Sequence, residues 1–227
     1  MHDDAPGITC AIETSSTLGS VALLSDENVL AEKAFAKGLR HGTDLVPTLD
    51  TLTRSLNLEP RSITLVVVGT GPGSYTGLRV GTASAKALAF ALHTPLVGAA
   101  SSDAAVYALA PRPGQLATVV VDAKRDYVYL SLYRADAADW LLQDTHHILP
   151  PADAAKVIPP GTVLLGDGAQ RYRDVFEKAG LVVLDGIDPT PAAAWVGRLG
   201  FRKYRKSGVD ELLTVEPLYL RLSEAEE

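Results

Sequence analysis

Residues 69–81 read GTGPGSYTGLRVG. Just before them, residues 63–68 (ITLVVV) form a continuous apolar run, the pattern of a strand buried on both faces. Just after, residues 78–92 predict a helix, with Pro95 beyond to stop it. Arg79, Thr82, Ser84 and Lys86 are its few polar interior positions. A helix apolar nearly all round is covered on more than one side. One side packs on its sheet and the other needs a second cover. Leu45, Leu49, Leu52 and Leu56 fall at i, i+4, i+7 and i+11, one stripe of a preceding helix that supplies part of that cover. Thr43 or Asp44 caps the start of this helix, and Pro47 belongs in its first turn or at a kink.

Working outward, residues 8–13 (ITCAIE) predict a strand, 14–19 (TSSTLG) a turn, 20–24 a second strand, and 26–28 a turn into a third strand ending near Phe35. The second half follows the same plan. Residues 117–122 form a strand ending in Asp122, 123–126 a turn, and 127–134 alternate as a strand, with a third strand near 140–143. A short helix at 151–157, a strand at 162–165, the loop 166–169, a helix over 170–178 and a strand at 181–184 come next. Thr190 before Pro191 reads as an N-cap with proline at the first helical position, opening a helix to about Tyr204. The tail 223–227 is acidic and is expected to be loose.

The halves therefore correspond: Glu13 matches Asp122, and the loop 71–77 matches 166–169. This predicts an α/β protein of two duplicated lobes of the actin and sugar-kinase-like (ASKHA, ribonuclease H-like) type, with turns and glycine loops around one cleft. The lobes are expected at 1–102 and 103–227, the final helix packing back on the first. The first lobe is expected to bind a partner.

Of the 227 residues 47% are apolar and 21% charged, ordinary values for a globular protein. Met1 leads into His2, Asp3 and Asp4, so no signal peptide is expected, and no apolar run is long enough for a membrane span. Cys10 stands alone in a strand pattern, which excludes a disulfide framework and points to the cytoplasm. The formal net charge of −6 disfavours nucleic-acid binding by the isolated chain. The basic run Arg198, Arg202, Lys203, Arg205 and Lys206 reads as a solvated helix end in preference to an RNA patch.

Gly71, Gly73, Ser74, Thr76 and Gly77 make a candidate anion or nucleotide loop, since a glycine turn entering a helix aims N–H groups at one point. The alternative is a tight turn that lets the helix lie close on the sheet. No lysine follows in the Walker pattern, which excludes a P-loop. Glu13 and Asp122 are candidate cleft acids. The first turn reads Glu13-Thr14-Ser15-Ser16, without the Asp-x-Gly-Thr/Ser pattern that lets phosphates approach, so an acid bonded to turn N–H groups is the competing role. Ser74 sits in no nucleophile elbow.

Residues 69–81 together with Glu13-Thr14-Ser15, Arg40-His41 before the leucine stripe, Asp122-Ala123-Lys124-Arg125 before Tyr127-Val128-Tyr129, and Pro217-Leu218-Tyr219-Leu220-Arg221 resemble the TsaB family, also called YeaZ, most strongly over 8–100. The resemblance implies the two-lobed actin-like fold and a heterodimer with the catalytic relative TsaD through first-lobe helices. The expected contacts are Leu45, Leu49, Leu52, Leu56, Val80, Ala83, Ala87, Phe90 and Ala91. It further implies a TsaE-type ATPase in the larger complex, a homodimer when alone, and contact with tRNA only through the complex. The expected role is a non-catalytic scaffold and activator in forming threonylcarbamoyladenosine beside the anticodon of tRNAs reading ANN codons, without cofactor or metal. TsaD relatives carry two histidines at i and i+4. Among His2, His41, His93, His146 and His147 no pair has that spacing, which speaks against a metallopeptidase, and His41 is expected at a helix start or interface. The competing reading is an ATPase or phosphotransferase using the cleft.

Overall fold

The computed structural model describes residues 7–35, 41–144, 147–186, 190–208, 210, 212 and 214–219. His2, Arg40, His146, Leu220, Arg221, the tail 223–227 and the side chain of His147 lie outside the described residues. The chain divides into two compact units, 1–101 with 191–218, and 102–190 with 219–227.

The first unit opens with β1 (Ile8–Glu13), β2 (Ser20–Ser25) and β3 (Asn28–Ala34), followed by α1 (His41–Ser55), β4 (Ile63–Gly69), α2 (Tyr75–Leu92) and β5 (Leu96–Ala99). α3 (Ser101–Val106) begins at the boundary between the units. The second unit holds β6 (Leu116–Asp122), β7 (Val128–Ala135), β8 (Trp140–Leu142), β9 (His147–Leu149), α4 (Pro151–Val157), β10 (Val163–Leu165), α5 (Asp167–Arg171), α6 (Arg173–Lys178) and β11 (Val182–Val183). The chain then returns to the first unit as α7 (Ala193–Ser207).

Both sheets follow one plan. In the first unit the order is β3-β2-β1-β4-β5, with β1–β2 and β2–β3 antiparallel and β1–β4 and β4–β5 parallel. In the second it is β8-β7-β6-β10-β11, with the same pattern of directions. Relabelled within each unit, both read 3-2-1-4-5, the ribonuclease H-like order that actin and sugar-kinase-like proteins duplicate.

Strand alternation splits the first unit into two layers. Cys10, Ile12, Val21, Leu23, Val66 and Val68 face α1 and α2, meeting Leu45, Leu49, Leu52, Ala85 and Ala89. The other face carries Ala11, Leu24 and Val67 under α7. A Cβ on Gly197 would lie 2.5 Å from a Leu24 methyl, and one on Gly200 would lie 2.1 Å from a Val67 methyl, so glycine at both positions sets how closely the helix seats.

Several local expectations change. α1 begins at His41, and Pro47 lies in its second turn, where the ring is exposed and only one ladder bond is lost. α2 begins three residues early, at Tyr75, because Ser74 caps it: its hydroxyl oxygen accepts from Gly77 N–H. The 170–178 helix is two, broken at Tyr172. Thr190-Pro191 does not cap α7. The free amides of Ala193 and Ala194 donate instead to Ser20 Oγ (3.0 Å) and Glu32 Oε1 (3.0 Å), partners far away in sequence.

Candidate functional site

The predicted glycine loop and the β1–β2 turn form one tightly packed element of the first unit. Ser74 N–H donates to the Ser15 carbonyl at 2.6 Å. A Cβ on Gly73 would come within 2.2 Å of that same oxygen, one on Gly77 within 2.1 Å of the Thr14 carbonyl, and one on Gly81 within 2.1 Å of the Thr14 hydroxyl. The glycines therefore admit the main chain of the β1–β2 turn to the start of α2. One helix-start amide, Ser74 N–H, is thereby taken by a protein carbonyl, and Gly77 N–H by Ser74 Oγ. Gly71 has φ +100, and its N–H and C=O bond to Ser101 Oγ (3.1 Å) and Ser101 N (2.8 Å). Thr76 is exposed in the first turn of α2.

Glu13 fastens the same element from beneath. It is fully buried; Oε1 accepts from Ser15 N–H, and Oε2 accepts from Ser101 Oγ at 2.7 Å. A Cβ on Gly69 would lie 2.0 Å from Oε2, so the strand end must be glycine for the acid to fit. Burial pushes the Glu13 carboxyl above its ordinary value, partly offset by the donors from Ser15 and Ser101. His41 closes the turn from α1. Its Nε2 lies 3.0 Å from the Ser16 carbonyl, and its ring packs at 5.7 Å on Phe35.

Asp122, at the corresponding place in the second unit, is held differently. Its carboxylate accepts from Lys124 N–H (3.0 Å), Lys124 Nζ (2.7 Å) and Arg171 Nη1 (3.3 Å), while its own N–H donates to Asp167 Oδ1 (2.9 Å). Burial pushes the Asp167 carboxyl up. Lys124, Arg125 and Asp126 all take left-handed φ, of 63°, 49° and 59°. Gly166 and Gly168 again permit close approach, here to the main chain at 120–122. Sequence reasoning missed Ser101, Gly69 and Asp167; the pairing of each with its acid is tertiary and has no local signal.

The expected partner-facing set divides. Leu45, Leu49 and Leu52 are buried in the protomer's own core, and Leu56 packs half-buried against it. Leu45, Leu49 and Leu52 are therefore corrected from partner contacts to core, while Leu56 is only half-buried. The outer side of α2 is open: Ala83, Ala87 and Ala91 are exposed, Val80 is half-buried, and Phe90 is 70% exposed. On α1 the exposed positions include Val46, Pro47, Asp50 and Arg54. Much of the basic run on α7 serves the protomer: Arg198 bonds the Glu27 carbonyl and stacks on Trp195, Arg202 binds the Glu27 carboxylate, and Lys203 binds Asp210.

Cys10 is buried, its thiol pushed up to about 12 by burial. Among the described residues no group of three or more His, Cys, Asp or Glu could hold a metal ion, and no helix is long and apolar enough to cross a membrane.

The family model for TsaD, tRNA N6-adenosine threonylcarbamoyltransferase, matches residues 35–155. The Bacillus subtilis tRNA threonylcarbamoyladenosine biosynthesis protein TsaB is 29% identical, over 95% of either chain. An uncharacterized protein of Mycobacterium bovis is 30% identical over 95% of this chain and 92% of its own. YeaZ from Pseudomonas aeruginosa superposes with a TM-score of 0.80 at 23% identity, covering 94% of this chain and all of that one, which establishes the shared fold. A family match over more than half the chain, near full-length relatives and a common fold agree: the chain belongs to the TsaB (YeaZ) family within the wider TsaD-related group.

Proposed function

We propose that this chain serves tRNA threonylcarbamoyladenosine biosynthesis as a non-catalytic subunit that holds and activates a TsaD-type catalytic relative. The observation carrying this reading is the outer side of α2, where Val80, Ala83, Ala87, Phe90 and Ala91 leave an apolar helix side open after the protomer's own leucines are spent on its core. Small side chains let a partner helix approach closely, and Phe90 supplies a large apolar anchor. Exposed residues of α1, Val46 among them, extend the face toward a bundle of two helices from each subunit. A stable pair of this kind buries roughly 1,600 Å².

The catalytic role falls to the partner. The Ser15 carbonyl takes the Ser74 amide at the start of α2, and Glu13 is engaged by Ser15 and Ser101, an arrangement that favours structure over phosphate chemistry. A TsaE-type ATPase joins the larger cytoplasmic complex. Two copies pair through the same face when the catalytic relative is absent. tRNA is met through the complex, in keeping with the net charge of −6.

Co-expression with the TsaD-type protein of the same organism tests the reading. Ala87→Asp and Phe90→Asp, both at exposed positions, are expected to leave the chain folded, to end co-purification and to stop threonylcarbamoylation in a reconstituted assay. Undiminished pairing of either folded variant, or full modification without this chain, overturns it.

A further inference from the structure

The open side of α2 carries a charge that the helix itself does not balance. Arg79, Ala83, Ala87 and Ala91 fall at i, i+4, i+8 and i+12, one ridge of the helix, and all four are exposed. Arg79 thus stands one turn before the alanines, about 6 Å along the axis from Ala83. Its guanidinium donates to the Tyr75 hydroxyl at 3.1 Å and lies 5.4 Å from the centroid of the same ring. That side chain is neutral, so it holds the arginine on the ridge without cancelling its charge. Among the described residues no carboxylate pairs with Arg79.

From 75 to 92 the helix holds Arg79 and Lys86 and neither Asp nor Glu. Its first turn, where the helix dipole is positive, has no acid either. The acids of α1 are engaged on their own helix: Asp50 with Arg54 Nε at 2.9 Å, and Asp44 with the Thr43 hydroxyl at 3.0 Å. The alanines let a partner helix come close, roughly 8 Å between axes. A helix at that distance strips water from Arg79. A guanidinium that loses water and gains no opposite charge opposes association, whereas one that meets a carboxylate gains a bidentate, charge-assisted hydrogen bond.

Resting on the pairing role proposed for this face, we infer that Arg79 is its specificity-determining residue. It takes an Asp or Glu on the docking helix of the TsaD-type relative, and it disfavours a second copy of this chain. Two α2 ridges laid together bring two Arg79 and no acid from either α2. In parallel pairing the two guanidiniums meet. In antiparallel pairing, with Ala83 against Ala87, each lies beside Ala91 and Phe90 of the other copy. Self-pairing is the weaker assembly in both arrangements, and the acid-bearing relative displaces it.

Arg79→Met keeps a long side chain and removes the charge. Arg79 is exposed, so the variant should melt with the parent. Two affinities of the full chain are measured, for the TsaD-type protein of the same organism by calorimetry and for itself by sedimentation equilibrium. Opposite signs are expected: the heterodimer weakened by about tenfold or more, as for the loss of one member of a desolvated charge pair, and self-association tightened several-fold. Raising NaCl from about 50 to about 500 mM should weaken the parent heterodimer more than that of the variant. A purely steric role for Arg79 would move neither the sign nor the salt dependence. Ala87→Asp controls for the face. Should it leave the heterodimer intact, the pairing reading fails and this inference falls with it. Should it break the heterodimer while Arg79→Met leaves that affinity unchanged, or fails to tighten self-association, the role of Arg79 alone is overturned.

Discussion

The carbonyl oxygen of Ser15 accepts a 2.6 Å hydrogen bond from the N–H of Ser74, joining the first hairpin turn to the start of α2. A glycine-rich entry to a helix offers its amides to whatever acceptor arrives first. Here the acceptor is the chain itself, and the glycines let two backbones meet. Gly77→Ala gains helix propensity of up to about 1 kcal/mol. It also drives a Cβ to 2.1 Å from the Thr14 carbonyl, an atom no rotamer can move aside. The clash dominates, and a net loss of about 1–3 kcal/mol is expected from urea denaturation. Gly42→Ala, in α1 with nothing within 4 Å of its new Cβ, is the control and should gain about 0.4–1 kcal/mol.

Glu13 makes stability depend on pH in a stated direction. Burial raises its folded-state pKa above the ordinary 4.5, so the folded chain holds the proton more tightly than the unfolded chain does. Below 4.5 both states are protonated and the group is neutral in the balance. As pH rises from there to the raised folded value, the unfolded state loses its proton first and stability falls. Above the folded value the penalty is constant. Glu13→Gln removes this dependence, so the stability of the variant relative to the parent should increase as pH rises from 4.5. Denaturant midpoints across pH 4 to 7 check it, and a difference that shrinks with rising pH contradicts the assignment.

The two sides of the helical layer should separate cleanly. Leu49 lies in the core with Leu45 and Leu52, so Leu49→Ala is expected to cost about 2–5 kcal/mol. Phe90 is largely exposed, and Phe90→Ser should stay within about 0.5 kcal/mol of the parent in the isolated protomer. Thermal or urea denaturation measures both. A large loss in Phe90→Ser at concentrations where the chain is monomeric would mean that the protomer itself covers that side of α2.

What can be read without coordinates follows from how local each cause is. The duplicated order of acid-ended strand, hairpin and glycine turn is written in contiguous runs, and the excess apolar perimeter of α2 is a property of composition. Which side of α2 stays open depends on how the helix seats in the core, with Ala85 and Ala89 turned inward, and no local pattern in the helix states this. β5 and α3, of 4 and 6 residues, are not anticipated from the sequence, although the shorter β8 and β10 are. The bond from Ser101 to Glu13 spans 88 residues.

The start of α7 is the clearest case of tertiary structure replacing a local signal, and it yields a further prediction. Thr190 and Pro191 carry the residue types of a cap, yet the helix begins at Ala193, and Ala192 makes no side-chain cap. Ser20 Oγ and Glu32 Oε1, from β2 and β3, accept the Ala193 and Ala194 amides, and Ser20 also donates to Glu32 at 3.4 Å. A cap borrowed from the sheet fixes where the helix lies as well as where it starts, because Gly197 and Gly200 allow seating only over Leu24 and Val67. Ser20 is buried, so Ser20→Ala leaves the Ala193 amide without a partner. A loss of about 0.5–2 kcal/mol is expected, the range for losing a helix cap. Thr190→Ala is the comparison variant, at the position whose residue type would make a local cap. Hydrogen exchange should show the same division: faster exchange at the first turn of α7 in Ser20→Ala, unchanged in Thr190→Ala. The reverse ranking would restore the local cap and remove the role given to the sheet.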